Sequence, residues 1–428
     1  MTAPPGIADA PRLLRRLFDV AVAAAGPEGR ITPPHEPSGA VVTLGAGKAA
    51  ARMAAAFVEA TRKAGWRAAP RGVVSVPRGY GWSTPAGIEV MEAGHPAPDT
   101  ASVEAANRAL AAAHAARAED LVVFLISGGA SAAMCAPARD PGGAWGVSLA
   151  QKRALTAELL RSGAPIDAIN RVRQAVSAIK GGRLAAAAAP ARVVTYAISD
   201  VPGDDPRLIG SGPTLAALEA GPDAALSICA RYGVSVSAAM RETIERNACP
   251  EIVEGPCHVI VRPADALAAA AVEARAMGFT PVILSDALEG EARELGATLA
   301  ARTAREAAAD VGPLALISGG EATVRVRGAG RGGPNAECAL AFALALEPAL
   351  RARVAAIACD TDGRDGVLGA AGAWVGPETL AALAKAGVDA RAALDNNDAY
   401  GIFAAVGGLV ETEPTRTNVN DFRCILIW

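Results

Sequence analysis

Residues 314–337 read LALISGGEATVRVRGAGRGGPNAE, an apolar run that stops at Ser318-Gly319-Gly320-Glu321 and is followed by a second glycine-rich turn. A short apolar run bounded this way reads as a buried strand, and glycines at its end let backbone N–H groups approach a ligand. Arg325, Arg327 and Arg331 add positive charge to the same segment, so it reads as an anion cradle. Leu125-Ile126-Ser127-Gly128-Gly129 repeats the strand, the serine and the glycine pair earlier in the chain. Two such turns predict a site assembled from two lobes. The plain alternative, for either copy, is a Ser-Gly-Gly that only turns the chain.

Around these turns strands and helices alternate. An amphipathic helix over 9–26 precedes the strand 41–44, a glycine turn and an Ala-rich helix. Strands at 73–76, 121–126 and 193–198 are separated by a helix over 101–117 and by helices spanning 149–188. A long polar loop over 199–214 leads to more helix, ending near residue 246. Further strands are expected at 258–261, 281–286, 355–358, near Val410 and at 424–427. This βα repetition predicts an α/β chain with a parallel, doubly wound sheet. The aperiodic stretch 247–256, with its Pro, Glu and Gly, is the expected linker between domains at 1–248 and 256–428. Residues 256–312 are compatible with either lobe.

Composition narrows the class. A chain of 428 residues has room for two or three domains of about 150 residues. Hydrophobic content of 51% with only 4% aromatic residues suits helices layered on parallel sheet. A net charge of −3 gives no general attraction to nucleic acid or anionic lipid, so any phosphate site must be local. The seven cysteines contain no C-x-x-C pair and read as buried thiols of a reducing compartment. Arg12, Arg15, Arg16 and Asp19 interrupt any signal-peptide core, and no run of about 20 apolar residues spans a membrane. The cytoplasm is the expected location. Four histidines (35, 95, 114, 258) lack metal-ligand spacing, which argues against zinc hydrolases and Ser-His triads and leaves acid chemistry to carboxylates.

Gly45-Ala46-Gly47-Lys48-Ala49-Ala50 follows a strand and opens a helix, matching the dinucleotide fingerprint G-x-G-x-x-A. A ribose-binding acid should follow about 20 residues on, yet no Asp or Glu lies between Glu59 and Glu89; Arg71 and Arg78 flank the next strand instead. NADP stays open. Lys48 at a helix N-terminus suits a phosphate or carboxylate, although the turn lacks Walker A spacing. Asn170, Arg173, Ser177 and Lys180 fall within about 80° of arc on one expected helix, facing either a cleft or solvent. Asp200, Asp204 and Asp205 occupy a glycine-containing turn at a strand end, closed by Ser211-Gly212-Pro213-Thr214, and suit Mg²⁺. A second acidic turn carries Asp360, Asp362 and Asp365. It is no EF-hand, because Asp365 fills the glycine position and Ala371 the glutamate position, and it reads better as a metal site or general base at a strand end. Asn396-Asn397-Asp398 and Thr417-Asn418 are dense in donors and could equally be plain turns.

In order, GAGKAA at 45, GHPAPDTAS at 94, LISGGAS at 125, NRVRQAVSAIKGGRLA at 170, SDVPGDD to GSGPT at 214, LISGGEATV at 316, GRGGPNAE at 330, DTDGRDG at 360 and TNVNDF at 417 resemble the glycerate 2-kinase family, some of whose members are labelled hydroxypyruvate reductase. The resemblance covers nearly the whole length. It implies a Rossmann-like N-terminal domain, a smaller MOFRL-type C-terminal domain with the site in the cleft between them, ATP and Mg²⁺ as cofactors, and D-glycerate phosphorylated on its 2-hydroxyl. The family's active-site lysine falls on Lys48. Many members have arginine and glutamine where this chain has Pro334 and Ala336, and Arg325 and Arg331 are the candidates to replace that arginine. Glu413 and Arg416 stand where glycines are common, which points to a shifted substrate preference. On this reading Lys48, Arg325, Arg331 and Asp362 carry the chemistry, and Asp200, Asp204 or Asp362 hold the metal. Gly45, Gly47, Ser127, Gly128, Gly129, Asn170, Arg173, Lys180, Ser211, Gly212, Ser318, Gly319, Gly320, Glu321, Asn335, Asn397, Asp398, Thr417 and Asn418 bind substrate or nucleotide. Partners are small molecules only, and a homodimer is compatible with the sequence. An NADP-dependent hydroxypyruvate reductase is the competing enzyme. A non-catalytic sugar-acid phosphate sensor would need a basic DNA-binding surface that the composition lacks.

Overall fold

The computed structural model describes residues 4–217, 221–309, 312–366 and 369–428. Contacts divide the chain into two compact units, one over Pro27–Val261 and one that joins the N-terminal stretch ending at Gly26 to Arg262–Trp428.

In the first unit, β1 (Val41–Ala46), β2 (Arg71–Pro77), β3 (Ile88–Ala93), β4 (Leu121–Ile126), β5 (Arg192–Ile198) and β6 (Cys257–Val261) form one sheet of order β3-β2-β1-β4-β5-β6. Every pairing in it is parallel. This is the Rossmann order, and its direction reverses between β1 and β4, so the crevice beyond the carboxyl ends of those strands is the place for a ligand. All six residues of β4 are buried, as a strand covered on both faces requires. The helix Ala50–Lys63 buries Met53, Ala54 and Phe57, and the helix Thr100–His114 lays Ala106, Ala109 and Ala113 on the sheet face that carries Leu44, Val122 and Phe124. Sequence pattern anticipates these elements except β3, whose polar alternation belongs to a half-exposed edge strand.

The second unit holds β7 (Thr280–Ser285), β8 (Gly290–Glu291), β9 (Leu314–Ser318), β10 (Ala322–Thr323), β11 (Val354–Asp360), β12 (Ala370–Val375), β13 (Leu409–Glu411) and β14 (Asp421–Ile427). Six of them form a mixed sheet of order β13-β12-β11-β14-β9-β7, in which only β7 and β9 run parallel. The Ala- and Gly-rich β12 carries almost no strand propensity and is held by its neighbours; a Cβ at Gly372 would come within 2.0 Å of the Ala358 carbonyl oxygen.

The division differs from the expected linker at 247–256. Strand β6, beyond that linker, pairs with β5 and completes the first sheet. The helix Ala10–Ala24 belongs with the second unit, because its apolar face (Leu13, Leu14, Leu17, Phe18) is buried there and Phe18 lies 6.1 Å from Phe422 of β14. Arg16 pairs with Glu273 at 2.6 Å, and Thr417 Oγ1 donates to the Ala25 carbonyl at 2.6 Å. Among the described residues no helix is long and apolar enough to cross a membrane.

Candidate active site

At the switch point the turn after β1 meets the turn after β4. Gly47 has φ +120, and a Cβ there would come within 2.4 Å of Ser127, so only glycine lets the two turns touch. β2 and the second turn together consume the first turn's amides. Gly47 N donates to the Ser75 carbonyl (3.0 Å), Lys48 N to the Gly128 carbonyl (2.8 Å) and Ala49 N to Ser127 Oγ (3.0 Å). A Rossmann turn offers those amides to a pyrophosphate. Here Gly45 and Gly47 serve chain packing. The second turn differs, since among the described residues the amides of Gly128 and Gly129 donate to no protein acceptor. Gly129, at φ +82, has its Cβ position 3.4 Å from Lys48 Cγ, which places the lysine beside those amides.

The same position lies 3.2 Å from Cδ2 and 3.3 Å from Nε2 of His95. Sequence reasoning passed over this histidine because it searched for metal spacing and triads; its signal was the motif GHPAPD. Asp99 fixes that loop, accepting hydrogen bonds from Gly94 N (3.1 Å), Ser102 N (3.0 Å) and Ser102 Oγ (3.1 Å) while pairing with Arg78. Burial pushes the Asp99 carboxyl up, but Arg78 and these donors outweigh it and bring the pKa down to about 2.

The flank expected on one long helix is split. The helix Ile166–Ala175 stops before Ser177, whose Oγ accepts from Ile179 N and Lys180 N (both 3.3 Å), a local turn that competes with helix continuation. Asn170 and Lys180 then grip the loop after β5. Lys180 Nζ donates to the Gly210 carbonyl (2.7 Å) and Ser131 Oγ (2.9 Å), and Ser211 Oγ donates to Asn170 Oδ1 (2.8 Å). Ser211 itself sits at φ +64 and Gly212 at φ +58. Lys152 and Arg183 donate to carbonyls at the end of the same helix, Lys152 to Val176 (2.8 Å) and Arg183 to Gln174 (3.1 Å). Burial, with Arg173 and Lys152 nearby, holds the Lys180 ammonium well below its usual pKa; burial likewise brings Lys152 down to about 8. Arg173 is the member of this cluster whose guanidinium makes no hydrogen bond or ion pair among the described residues. The cluster thus carries several buried cations with no carboxylate bonded to them, an arrangement that favours an anionic ligand.

Of the acids after β5, Asp205 is spent on its own turn, accepting from Arg207 N at 2.9 Å. Asp200 and Asp204 are half-buried at the carboxyl edge and offer hard oxygen donors that fit Mg²⁺. Asp362 belongs to the other unit, and among the described residues no three His, Cys, Asp or Glu side chains converge on a metal position.

In the second unit the repeated Ser-Gly-Gly has a different role. Gly319 N donates to the Ser285 carbonyl (2.9 Å), its carbonyl accepts from Arg423 (2.9 Å), and a Cβ at Gly320 would collide with Leu288 at 2.2 Å. Packing explains both glycines, with Ser318 buried and Glu321 exposed beside them. The arginine segment that follows is clamped by 396–398. Asn397 Oδ1 accepts from Arg327 N (2.6 Å) and Gly328 N (3.0 Å), Asn396 Oδ1 from Ala329 N (3.1 Å) and Asp398 Oδ1 from Arg331 N (3.0 Å). Asn397 and Asp398 therefore hold the loop. Arg327 pairs with Glu291 at 2.8 Å and Arg331 lies over the Tyr400 ring at 5.8 Å, while Arg325 is 75% exposed and 4.0 Å from Glu291. Asp365 accepts from Asn335 N and Ala336 N (2.8 Å each) at the start of the helix Pro334–Ala345, and Asn335 Nδ2 donates to Asp421 (2.6 Å). Thr417 ties Ala25 and Asn418 Oδ1 accepts from Asn420 N (3.2 Å), which accounts for the late polar turn structurally.

Comparison with known proteins agrees with this architecture. Residues 13–245 match a family model described as a domain of unknown function (DUF4147), and residues 314–421 match the MOFRL family. A D-glycerate 2-kinase of Thermotoga maritima is 37% identical over 89% of this chain and 89% of its own length. A crystal structure of glycerate kinase from Thermotoga maritima superposes with a TM-score of 0.82 at 34% identity, covering 97% of this chain and 99% of that one. A protein of Agrobacterium vitis provisionally named hydroxypyruvate reductase is 46% identical over 97% of this chain and 94% of its own length. With both of its halves matched and its strand order and glycine turns in place, the chain belongs to the glycerate 2-kinase family.

Proposed function

We propose that this protein phosphorylates D-glycerate on its 2-hydroxyl, using ATP with Mg²⁺ and releasing 2-phosphoglycerate and ADP. One observation carries the choice over a reductase: the amides of residues 47–49, which a dinucleotide pyrophosphate would need, are bonded within the protein. The end of β2 supports the same choice. Immediately after it comes Arg78, paired with Asp99, where a dinucleotide fold supplies a ribose-binding acid from the strand itself. The two unbonded glycine amides and a neighbouring lysine suit a single phosphoryl group.

Phosphoryl transfer passes through a loose transition state that needs alignment and charge neutralisation more than covalent help. Lys48 and the amides of Gly128 and Gly129 receive the migrating group's oxygens. Arg173, beside buried Lys180, takes the glycerate carboxylate. Asp200 and Asp204 would hold Mg²⁺, which when bound neutralises phosphate oxygens.

The test mixes protein with D-glycerate and either ATP and Mg²⁺ or NADP⁺, following ADP and reduced cofactor separately. ADP with 2-phosphoglycerate is expected; reduced cofactor without ADP would establish the reductase instead.

A further inference from the structure

We propose that His95 is the proton acceptor for the substrate hydroxyl, an inference that rests on the kinase reading. Two independent features of the structure converge on it. The ring meets the Gly128-Gly129 turn from the side, with Nε2 and Cδ2 at 3.3 and 3.2 Å from the position a Gly129 Cβ would take, and Lys48 Cγ reaches that position at 3.4 Å. A Cβ at Gly129 would press on the imidazole, and at φ +82 a side chain there is strained as well. The loop bearing His95 is also preorganised. Pro96 and Pro98 restrict its backbone, and Asp99 locks both its ends through Gly94 N and Ser102 N. A ring that is exposed yet carried on so fixed a loop, beside free amides at a sheet's switch point, is placed for chemistry rather than for packing.

In the step assigned to it, the glycerate 2-hydroxyl oxygen bonds to the terminal phosphorus of a nucleoside triphosphate as that phosphorus loses its bond to the β-phosphate oxygen. The hydroxyl proton passes to the neutral imidazole nitrogen and then to solvent, and the nucleoside diphosphate leaves with the bond's electron pair. Charged groups on the neighbouring segments are Lys48 from the turn after β1, Arg78 from the end of β2, Asp99 on the histidine's own loop and Glu92 at the end of β3, whose Oε1 accepts from Gly79 N at 3.2 Å. A general base works only in its unprotonated form, so a base role predicts an acidic limb in the rate profile.

The experiment measures kcat and both KM values from pH 5 to 9 for the wild-type protein, His95→Gln and His95→Asn, with thermal midpoints confirming that each variant is folded. The inference expects kcat to fall by about 10²- to 10⁴-fold in both variants, little change in either KM, and loss of the acidic limb. Retention of the acidic limb, or a kcat within about fivefold of wild type, would overturn it. A raised nucleotide KM with an alkaline limb lost would also overturn it, showing a cationic phosphate contact instead. Failure of the wild-type protein to transfer phosphate at all would defeat the kinase reading and this inference together, and the wild-type arm alone identifies that case.

Discussion

The backbone at Lys48 is committed to the Gly128 carbonyl, which leaves any catalytic role to the side chain. If that ammonium acts as other single preorganised donors do, Lys48→Ala should lower kcat by about 10²- to 10³-fold, measured as initial rates of ADP release; near-normal turnover would remove the assignment. Asp365 gives a stability prediction. Burial pushes its carboxyl up to about 7, against two helix N-terminal amides that favour the anion, with Asp421 adding to the rise. A folded pKa above the unfolded one means the folded state binds the proton more tightly, so stability from this group is greatest at low pH and declines as pH rises from about 4 to about 7. Denaturant titrations across that window should show the decline, and Asp365→Asn should flatten it. The sequence placed Asp365 in an acidic turn read as a metal site or general base and did not reveal its role at a helix start, since burial and capping are properties of a tertiary fold.

Among the elements, strand and helix positions on the first sheet were legible because apolar runs end in glycine turns, whereas the end of the helix at Ala175 was not. The stripe Ile169, Val172, Val176, Ile179 continues the helical period through Ser177, and nothing in that spacing reveals that Ser177 Oγ takes two amides for itself. The two Ser-Gly-Gly phrases were equally indistinguishable. One ends beside β1 with free amides, and the other is filled by Leu288 and Arg423. In the arginine loop the alternating glycines lie flat on 396–398: a Cβ at Gly330 would fall 2.4 Å from Asp398 Cβ. Gly330→Ala should therefore displace the loop, speeding amide exchange across 325–333 and costing about 1–3 kcal/mol in denaturant unfolding. Unchanged exchange would show that the clamp tolerates a methyl group.

For the whole molecule, the Rossmann-order sheet and the second α/β unit were readable from pattern, but the discontinuous division was not. Hydrophobic periodicity shows that the helix Ala10–Ala24 has an apolar face; only the folded chain shows that β14 covers it. Leu17, fully buried, tests that attachment, and Leu17→Ala should cost about 2–5 kcal/mol, read as earlier denaturant unfolding of the unit containing 262–428. The same arrangement has a consequence during synthesis. Roughly 400 residues separate Phe18 from Phe422, so at about 5–20 residues per second the first helix leaves the ribosome some 20–80 s before the strand that shelters it. Until β14 arrives that apolar face lacks part of its final cover, while the sheet over Pro27–Val261 can already close behind it.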